Sequence, residues 1–224
     1  MFKKSRRLER ASGDISVGDD LTVTVTMSGL VAEDVNVSLG STISGTATQN
    51  TDYTISTGSI VISEGQLSGT RTFSSTEDNI YEGNETATLT ISGIGGGDAS
   101  PAVENGNQQA VVTIVDDESA PTVTLSTSAS SINENSGSTL TLTATLSNAT
   151  TADVTVSLGT SGTGTEGTDY GTISDITISA GNTTGTATFD PTDDSVYEGN
   201  ETAIVAITGV SGGSATENGT QSAT

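Results

Sequence analysis

The 224-residue chain contains no cysteine, no histidine and no tryptophan, and its aromatic side chains are 4 tyrosines and 3 phenylalanines. Without cysteine there is no disulfide framework and no zinc finger. Without histidine there is no Ser-His-Asp or Cys-His nucleophile pair and no haem ligand set of the usual kind. Cations are almost as scarce: 6 Lys and Arg stand against 28 Asp and Glu, a formal net charge of −22. Five of the six (Lys3, Lys4, Arg6, Arg7, Arg10) lie in the first ten positions, so Arg71 alone faces the acids of residues 11–224. A binder of phosphate backbones cannot be assembled from that distribution. Hydrophobic residues are 31% of the chain, below the roughly 45–50% usual in globular domains. No apolar run is long enough to span a membrane.

What is present in quantity is Ser and Thr, 73 residues together, with 27 Gly. That mixture is poor in helix formers and rich in strand and turn residues. Low hydrophobicity with high charge is also the signature of disorder, but the pattern contradicts it. Leu21-Thr-Val23-Thr-Val25-Thr-Met27 and Leu140-Thr-Leu142-Thr-Ala144-Thr-Leu146 alternate apolar and polar residues over seven positions, which places every apolar side chain on one face of a strand. The expectation is an all-β fold of two-sheet sandwiches with a thin core and Thr/Ser outer faces.

An internal repeat organises the chain. Asp34-Val-Asn-Val-Ser-Leu-Gly40 returns as Asp153-Val-Thr-Val-Ser-Leu-Gly159, Asp52-Tyr53 as Asp169-Tyr170, Phe73 as Phe189, and Tyr81-Glu-Gly-Asn-Glu-Thr86 as Tyr197-Glu-Gly-Asn-Glu-Thr202. The period matches one immunoglobulin-like sandwich, so the chain divides into a basic leader at 1–12, a first repeat at 13–118 and a second at 119–224. The second repeat reads as strands Thr122–Thr127, Thr139–Ser147, Ala152–Leu158, Gly171–Ser179, Thr184–Phe189 and Thr202–Gly209, and the first adds Gln109–Val115 after its Glu104-Asn-Gly turn. Aligned on one another, the first repeat is expected to lack its opening strand and the second its closing strand, as in a segment of a longer array. Met1–Arg10 is charged like the start of a signal peptide but no apolar stretch comes after it.

The acids gather at turns. In the first repeat they are Asp52, Glu77, Asp78, Glu82, Glu85 and the run Asp116-Asp117-Glu118; in the second, Glu134, Asp169, Asp193, Asp194, Glu198 and Glu201. Alternate turns of a Greek-key sandwich fall at one end, so these carboxylates converge. Several carboxylates a few ångströms apart repel one another unless a cation joins them. Calcium suits that need because it takes six to eight oxygens in flexible geometry, and the absence of His and Cys gives softer metals no foothold. The opposing reading is that acidic turns only keep a Thr-rich surface soluble.

The motifs Ile132-Asn-Glu134-Asn-Ser-Gly137, Gly167-Thr-Asp169-Tyr170, the Ile62-Ser-Glu-Gly65 and Ile178-Ser-Ala-Gly181 turns, Asp193-Asp-Ser-Val-Tyr-Glu-Gly-Asn-Glu201 and Val112-Thr-Ile-Val-Asp-Asp-Glu118 match those of Calx-beta domains. Over residues 13–224 the chain resembles a tandem of such domains, the sandwich modules of sodium/calcium exchangers, an integrin β subunit and large bacterial surface proteins. The resemblance implies calcium ligands at Asp52, Glu77, Asp78, Glu82, Asp116, Asp117 and Glu118 in the first repeat, with the Ile80 carbonyl. In the second it implies Glu134, Asp169, Asp193, Asp194 and Glu198, with the Val196 carbonyl. Glu85 and Glu201 match an outer position. Ile15 falls where Glu134 sits, Glu77 replaces the usual Asp, and the second repeat has no closing acidic run. The function this implies is that of a calcium-binding, non-enzymatic module of a larger extracellular or cell-surface protein, structural or adhesive, with neighbouring repeats and cell-surface or matrix ligands as partners. Calcium at the closing run would stiffen the join between repeats.

Other features weigh less. Gly93-Ile-Gly-Gly-Gly97-Asp98 matches one turn of a calcium-binding β-helix repeat, but one turn cannot stack, and a loop is expected there. Asn-x-Ser/Thr sequons at Asn36, Asn84, Asn148, Asn182, Asn200 and Asn218 are what a Ser/Thr-rich chain produces by chance. Tyr53, Tyr81, Tyr170 and Tyr197 recur in register and read as packing residues. A carboxylate-based glycoside hydrolase needs no histidine, but the chain has no tryptophan to stack a sugar and repeats its acids twice. A passive spacer without specific metal binding remains the main alternative.

Overall fold

The computed structural model describes residues 5–8, 13–40, 43–56, 58–96, 102–106 and 108–224. The described residues are strands and turns except for one short 3-10 turn, Glu134–Ser136, closed by Gly137 in the left-handed region (φ 61°). No helix among them is long and apolar enough to cross a membrane. The chain forms two compact units, residues 1–78 with 83–117, and residues 79–82 with 118–224.

In the first unit one sheet runs in the order Val103–Glu104, Ser5–Leu8, Asp20–Met27, Ser68–Ser75, Tyr53–Ile55. The other runs Gly13–Ser16, Gln109–Val115, Glu85–Gly96, Val35–Leu39, Ile60–Ile62, with Ser44–Gly45 also paired to Glu85–Gly96. The alternation of Asp20–Met27 does what its pattern predicts: Val23, Val25 and Met27 are buried, and the threonines between them are half-buried on the other face. They meet Val35, Val37, Ile60, Ile62, Leu89 and Val112 from the opposite sheet in one core. Tyr53 and Phe73 stack inside it, ring centroids 4.6 Å apart and planes 15° from parallel.

The second unit repeats the plan. One sheet runs Thr184–Phe189, Leu140–Leu146, Thr122–Thr127, Thr216–Glu217, and the other Ile176–Ile178, Val154–Gly162, Ala203–Ser211, Ser222–Ala223. Val123, Ala144, Val154, Val156, Ile176 and Ile178 centre its core, and Tyr170 stacks on Phe189 at 4.9 Å and 30°. The short strand Ile80–Tyr81 belongs to this unit and lies parallel to Ala149–Thr150.

Three expectations are corrected. The first repeat does have an opening strand: Ser5–Leu8 pairs antiparallel with Asp20–Met27 and parallel with Val103–Glu104, the place that Thr122–Thr127 takes in the second unit. Ladders are made by backbone groups, so a charged run without apolar alternation can supply one. Gly93–Gly96 is strand rather than loop, paired with Val35–Ser38 beyond a register shift after Ile91; Gly97 and Asp98 lie outside the described residues. Tyr197 is no packing residue, since 97% of it is exposed, whereas Tyr53 and Tyr170 are buried and Tyr81 is half-buried.

Candidate metal centres

Each repeat builds an acidic site from the same backbone parts. Asp169 ends a tight turn in which its own N–H donates to the Thr165 carbonyl at 2.9 Å, and its Oδ2 accepts the Thr165 N–H at 2.6 Å. Asp52 makes the same pair of bonds to Thr48, at 2.9 and 2.5 Å. A short carboxylate that reaches back to its own turn is held in one orientation. The carbonyl of the same aspartate then accepts the N–H of the residue that opens the acidic loop, Thr192 at 2.9 Å and Thr76 at 2.8 Å. Asp169 and Asp52 are thereby tied to Asp193-Asp194 and Glu77-Asp78.

The far end of each loop is pinned by a glycine. Gly162 has φ +127°, and a Cβ there would lie 2.1 Å from the Thr202 carbonyl oxygen; Gly45, with φ +139°, meets Thr86 in the same way at 2.0 Å. Only glycine permits that backbone and that approach. The closeness lets the Thr163 N–H reach the Thr202 carbonyl at 2.9 Å while the Thr202 N–H reaches Thr163 Oγ1 at 2.9 Å. Glu201, one residue earlier, is held beside the Asp169 turn as a result.

In the second unit Asp169, Glu198 and Glu201 each present a carboxylate oxygen within 4.8 Å of the others. Asp169 is half-buried and both glutamates are exposed. In the first unit Asp52 faces Glu85, and Glu77 faces Asp117, each pair with oxygens within 4.8 Å. Asp116 closes that loop from below: its Oδ2 accepts the Gly83 N–H, and its own N–H donates to Asn84 Oδ1 at 3.3 Å. Glu82 and Glu118, both half-buried, are residues at which the chain crosses between units. Asp78, Asp116, Glu134, Asp193 and Asp194 are outside these groupings. Asp194 Oδ1 accepts the Val196 N–H at 2.7 Å, and Val196 is 60% exposed. Ile80 is half-buried in its strand.

Residues 14–118 match the sequence model of the Calx-beta domain, and residues 120–224 that of the LapA domain. The first repeat is Calx-beta-like, and the second matches the LapA domain instead. Among solved structures, CBD12 from CALX1.2 is 19% identical with a TM-score of 0.44, over 92% of this chain and 80% of that one. The apo-form Calx CBD1 domain is 16% identical with a TM-score of 0.44, over 52% of this chain and 100% of that one. The D00-D0 domain of Intimin is 11% identical with a TM-score of 0.31, over 99% and 96%. No curated protein matches the chain.

In the second repeat the acids interact beyond the triad of Asp169, Glu198 and Glu201. The Glu198 carboxyl is pushed above its ordinary range, first by desolvation and then by the charges of Asp169, Asp194, Glu201 and Glu134. Glu201 is pushed up by desolvation, by the charge and a hydrogen bond of Asp169, and by Glu134. Like charges drawn together favour the protonated form, so the fold itself creates the field that a hard divalent cation relieves. Converging carboxylate oxygens of this kind suit the flexible coordination of calcium better than magnesium, which demands near-ideal octahedral geometry.

Glu85 and Glu201, read from the sequence as outer positions, each fall in one of the grouped sets of carboxylates. The available signal was their spacing: Glu-Gly-Asn-Glu turns at a left-handed glycine, Gly83 (φ 74°) or Gly199 (φ 81°), which folds the second glutamate back toward the first. Other acids have structural work. Asp34 and Asp153 accept the N–H of Glu64 and Ala180, each at 2.8 Å. Glu104 and Glu217 accept those of Gln108 and Gln221, each at 2.6 Å.

Proposed function

We propose that this tandem is a non-catalytic calcium-binding module of a larger extracellular or cell-surface protein, structural or adhesive, and that calcium stiffens the join between its repeats. The observation that carries the reading is the convergence of Asp169, Glu198 and Glu201 on one point, by a turn that the first repeat builds identically around Asp52. In this proposal the second repeat's ion is held by Glu134, Asp169, Asp193, Asp194, Glu198 and Glu201 with the Val196 carbonyl. The first repeat's ions are held by Asp52, Glu77, Asp78, Glu82, Glu85, Asp116, Asp117 and Glu118 with the Ile80 carbonyl. Asp116 and Asp117 belong to the first unit and Glu118 to the second, so neutralising the run removes repulsion where the chain passes from one to the other.

Titration calorimetry with calcium on the whole chain, against magnesium and chelator, tests the binding. Saturable calcium uptake in the roughly 0.1–1 mM range typical of extracellular modules is expected, and heats no larger than those with magnesium would overturn it in favour of a passive spacer. Small-angle scattering tests the stiffening: the maximum dimension should sharpen on adding calcium, and identical curves sink that part.

A further inference from the structure

One pair of matching strands has different surroundings in the two repeats. In the first unit Ser68–Ser75 is flanked on its outer side by Tyr53–Ile55, which pairs with Phe73–Ser75, and it carries Arg71. In the second unit its counterpart Thr184–Phe189 is the last strand of its sheet, and no strand lies beyond it among the described residues. The chain that would cover it leaves after a single bridge, Tyr170 to Pro191, with the Gly171 N–H donating to the Asp190 carbonyl at 2.9 Å. Glu166 draws that chain away. Its Oε1 accepts the Ile173 N–H at 3.1 Å, and its Oε2 accepts the hydroxyl of Thr160, a residue of the opposite sheet, at 2.8 Å. The first repeat has Gln49 at that place, bridged to Tyr53 as Glu166 is to Tyr170.

The edge left in this way is open and uncharged. The Thr183 carbonyl accepts the Leu146 N–H at 2.8 Å, which sets the alternation of the antiparallel ladder. Gly185, Ala187 and Phe189 therefore bond to Ala144, Leu142 and Leu140, while Thr184, Thr186 and Thr188 direct their N–H and C=O groups outward. Asp190, next in that alternation, uses its outward carbonyl for Gly171. The side chains of the same three threonines are exposed. Thr184-Gly-Thr-Ala-Thr-Phe189 contains no charge and no proline, so it lacks the usual devices that keep sheet edges apart. In a chain of net charge −22, such a strand is where two like molecules approach at low electrostatic cost. Its sequence is also nearly symmetric about Thr186: laid antiparallel on itself, it sets Thr184 opposite Thr188 and Gly185 opposite Ala187. Thr–Thr pairs are favourable across strands, and the two small residues meet without crowding.

We propose that Thr184–Phe189 pairs antiparallel with the same strand of a second copy of this chain, about a two-fold axis at Thr186. Thr186 of one copy exchanges backbone bonds with Thr186 of the other, and Thr184 with Thr188, so the outward groups of all three are used. Backbone bonds of this kind supply the affinity in strand addition. The contact joins identical surfaces, so it closes at a dimer and does not propagate. One strand on each side is a small interface, and association is weak and concentration-dependent.

Sedimentation velocity on the whole chain, up to about 1 mM and at about 0.15 M salt, reads the association; chelator is present throughout, so the outcome is independent of metal binding. The wild-type weight-average sedimentation coefficient should rise with concentration toward the dimer value. Thr186→Pro removes an N–H that faces outward, the placement at which an edge strand tolerates proline, and it should stay at the monomer value. Two double variants test the register. Thr184→Lys with Thr188→Glu sets Lys opposite Glu across the axis and should dimerise more strongly than wild type. Thr184→Lys with Thr188→Lys sets like charges opposite one another and should stay monomeric, although it lowers the net negative charge of the chain. Residues 184 and 188 are exposed, and unchanged melting curves verify that the double variants are folded. A wild type that stays monomeric throughout, assembly that runs past the dimer, a folded Thr186→Pro chain that dimerises like wild type, or a Lys/Lys variant that associates as strongly as the Lys/Glu variant each overturns the proposal.

Discussion

Replacing Gly185 by alanine isolates the packing that holds the second sandwich together. Gly185 lies near the start of the edge strand Thr184–Phe189, against the edge strand Ile176–Ile178 of the opposite sheet. A Cβ at residue 185 would stand 2.5 Å from the Thr177 carbonyl oxygen, 2.8 Å from Ile176 Cγ2 and 3.1 Å from Ile178 Cγ1. Gly185 has an ordinary strand backbone and not a left-handed one, so alanine meets no conformational penalty and the whole effect is steric. The closest neighbour is a backbone atom of a paired strand, which cannot swing aside as a side chain would. Overpacking of this size destabilises by about 1–3 kcal/mol. Reduced freedom of the unfolded chain returns about 0.4–1 kcal/mol, leaving a net loss of up to about 2.6 kcal/mol and about 1.3 kcal/mol at the middle of both ranges. For a unit of this size the middle value lowers the melting temperature by about 5–10 °C. Scanning calorimetry of the whole chain reads it, with Gly69→Ala as the matching perturbation of the first unit, where a Cβ would lie 2.3 Å from the Val61 carbonyl oxygen. Each variant should lower its own unit's transition and leave the other in place. A Gly185→Ala chain that melts at or above the wild type would refute the close approach of the two edge strands.

The acidic sites and the cores carry further expected outcomes. Asp169→Asn keeps an oxygen that can accept the Thr165 N–H, so the calcium-free unit should melt as wild type while calcium affinity falls at least about tenfold by titration calorimetry; unchanged affinity would move the site elsewhere. Glu198 and Glu201 have raised pKa values in the fold, so the folded unit holds protons more tightly than the unfolded chain. Their repulsion therefore destabilises the calcium-free unit above the folded values and is relieved as pH falls through the region just above the ordinary carboxylate range. Calcium competes with those protons, so its affinity should begin to decline at a higher pH than it would for unperturbed carboxylates as the solution is acidified; an onset no higher than in the Glu198→Gln, Glu201→Gln variant contradicts the coupling. Phe73, fully buried on Tyr53, should lose about 3–5 kcal/mol when changed to alanine. Phe189, its half-buried counterpart, should lose less, and chemical denaturation of the two variants measures the difference.

Much of the sandwich was legible in the chain because one-face burial writes itself as alternation. Thr122–Thr127, Thr184–Phe189 and Gln109–Val115 are strands over the spans their patterns indicate, and Val23, Val25, Leu142 and Ala144 are buried where the period puts them. Gly171–Ser179 shrank to Ile176–Ile178, because the Asp169-Tyr170 turn and the Glu166 carboxylate, which accepts the Ile173 N–H at 3.1 Å, hold the preceding residues off the sheet. Ser5–Leu8 was invisible because its ladder uses backbone groups that every residue carries.

By itself, the sequence determined the chemistry available to this protein: no thiol, no imidazole, almost no cations, and two copies of one acidic turn set on alternating strands. Residue types and periods are local properties, and they bound what a chain can bind before it folds. Which carboxylates meet was decided only by the tertiary structure. Asp169, Glu198 and Glu201 are brought together by a carbonyl of Asp169 that anchors Thr192 and a glycine at 162 that admits Thr202. The same is true of matching loops with different fates, Tyr81 in a strand and Tyr197 in solvent. Convergence across long stretches of sequence depends on which strands pair, and pairing is a property of the whole sandwich rather than of any segment in it.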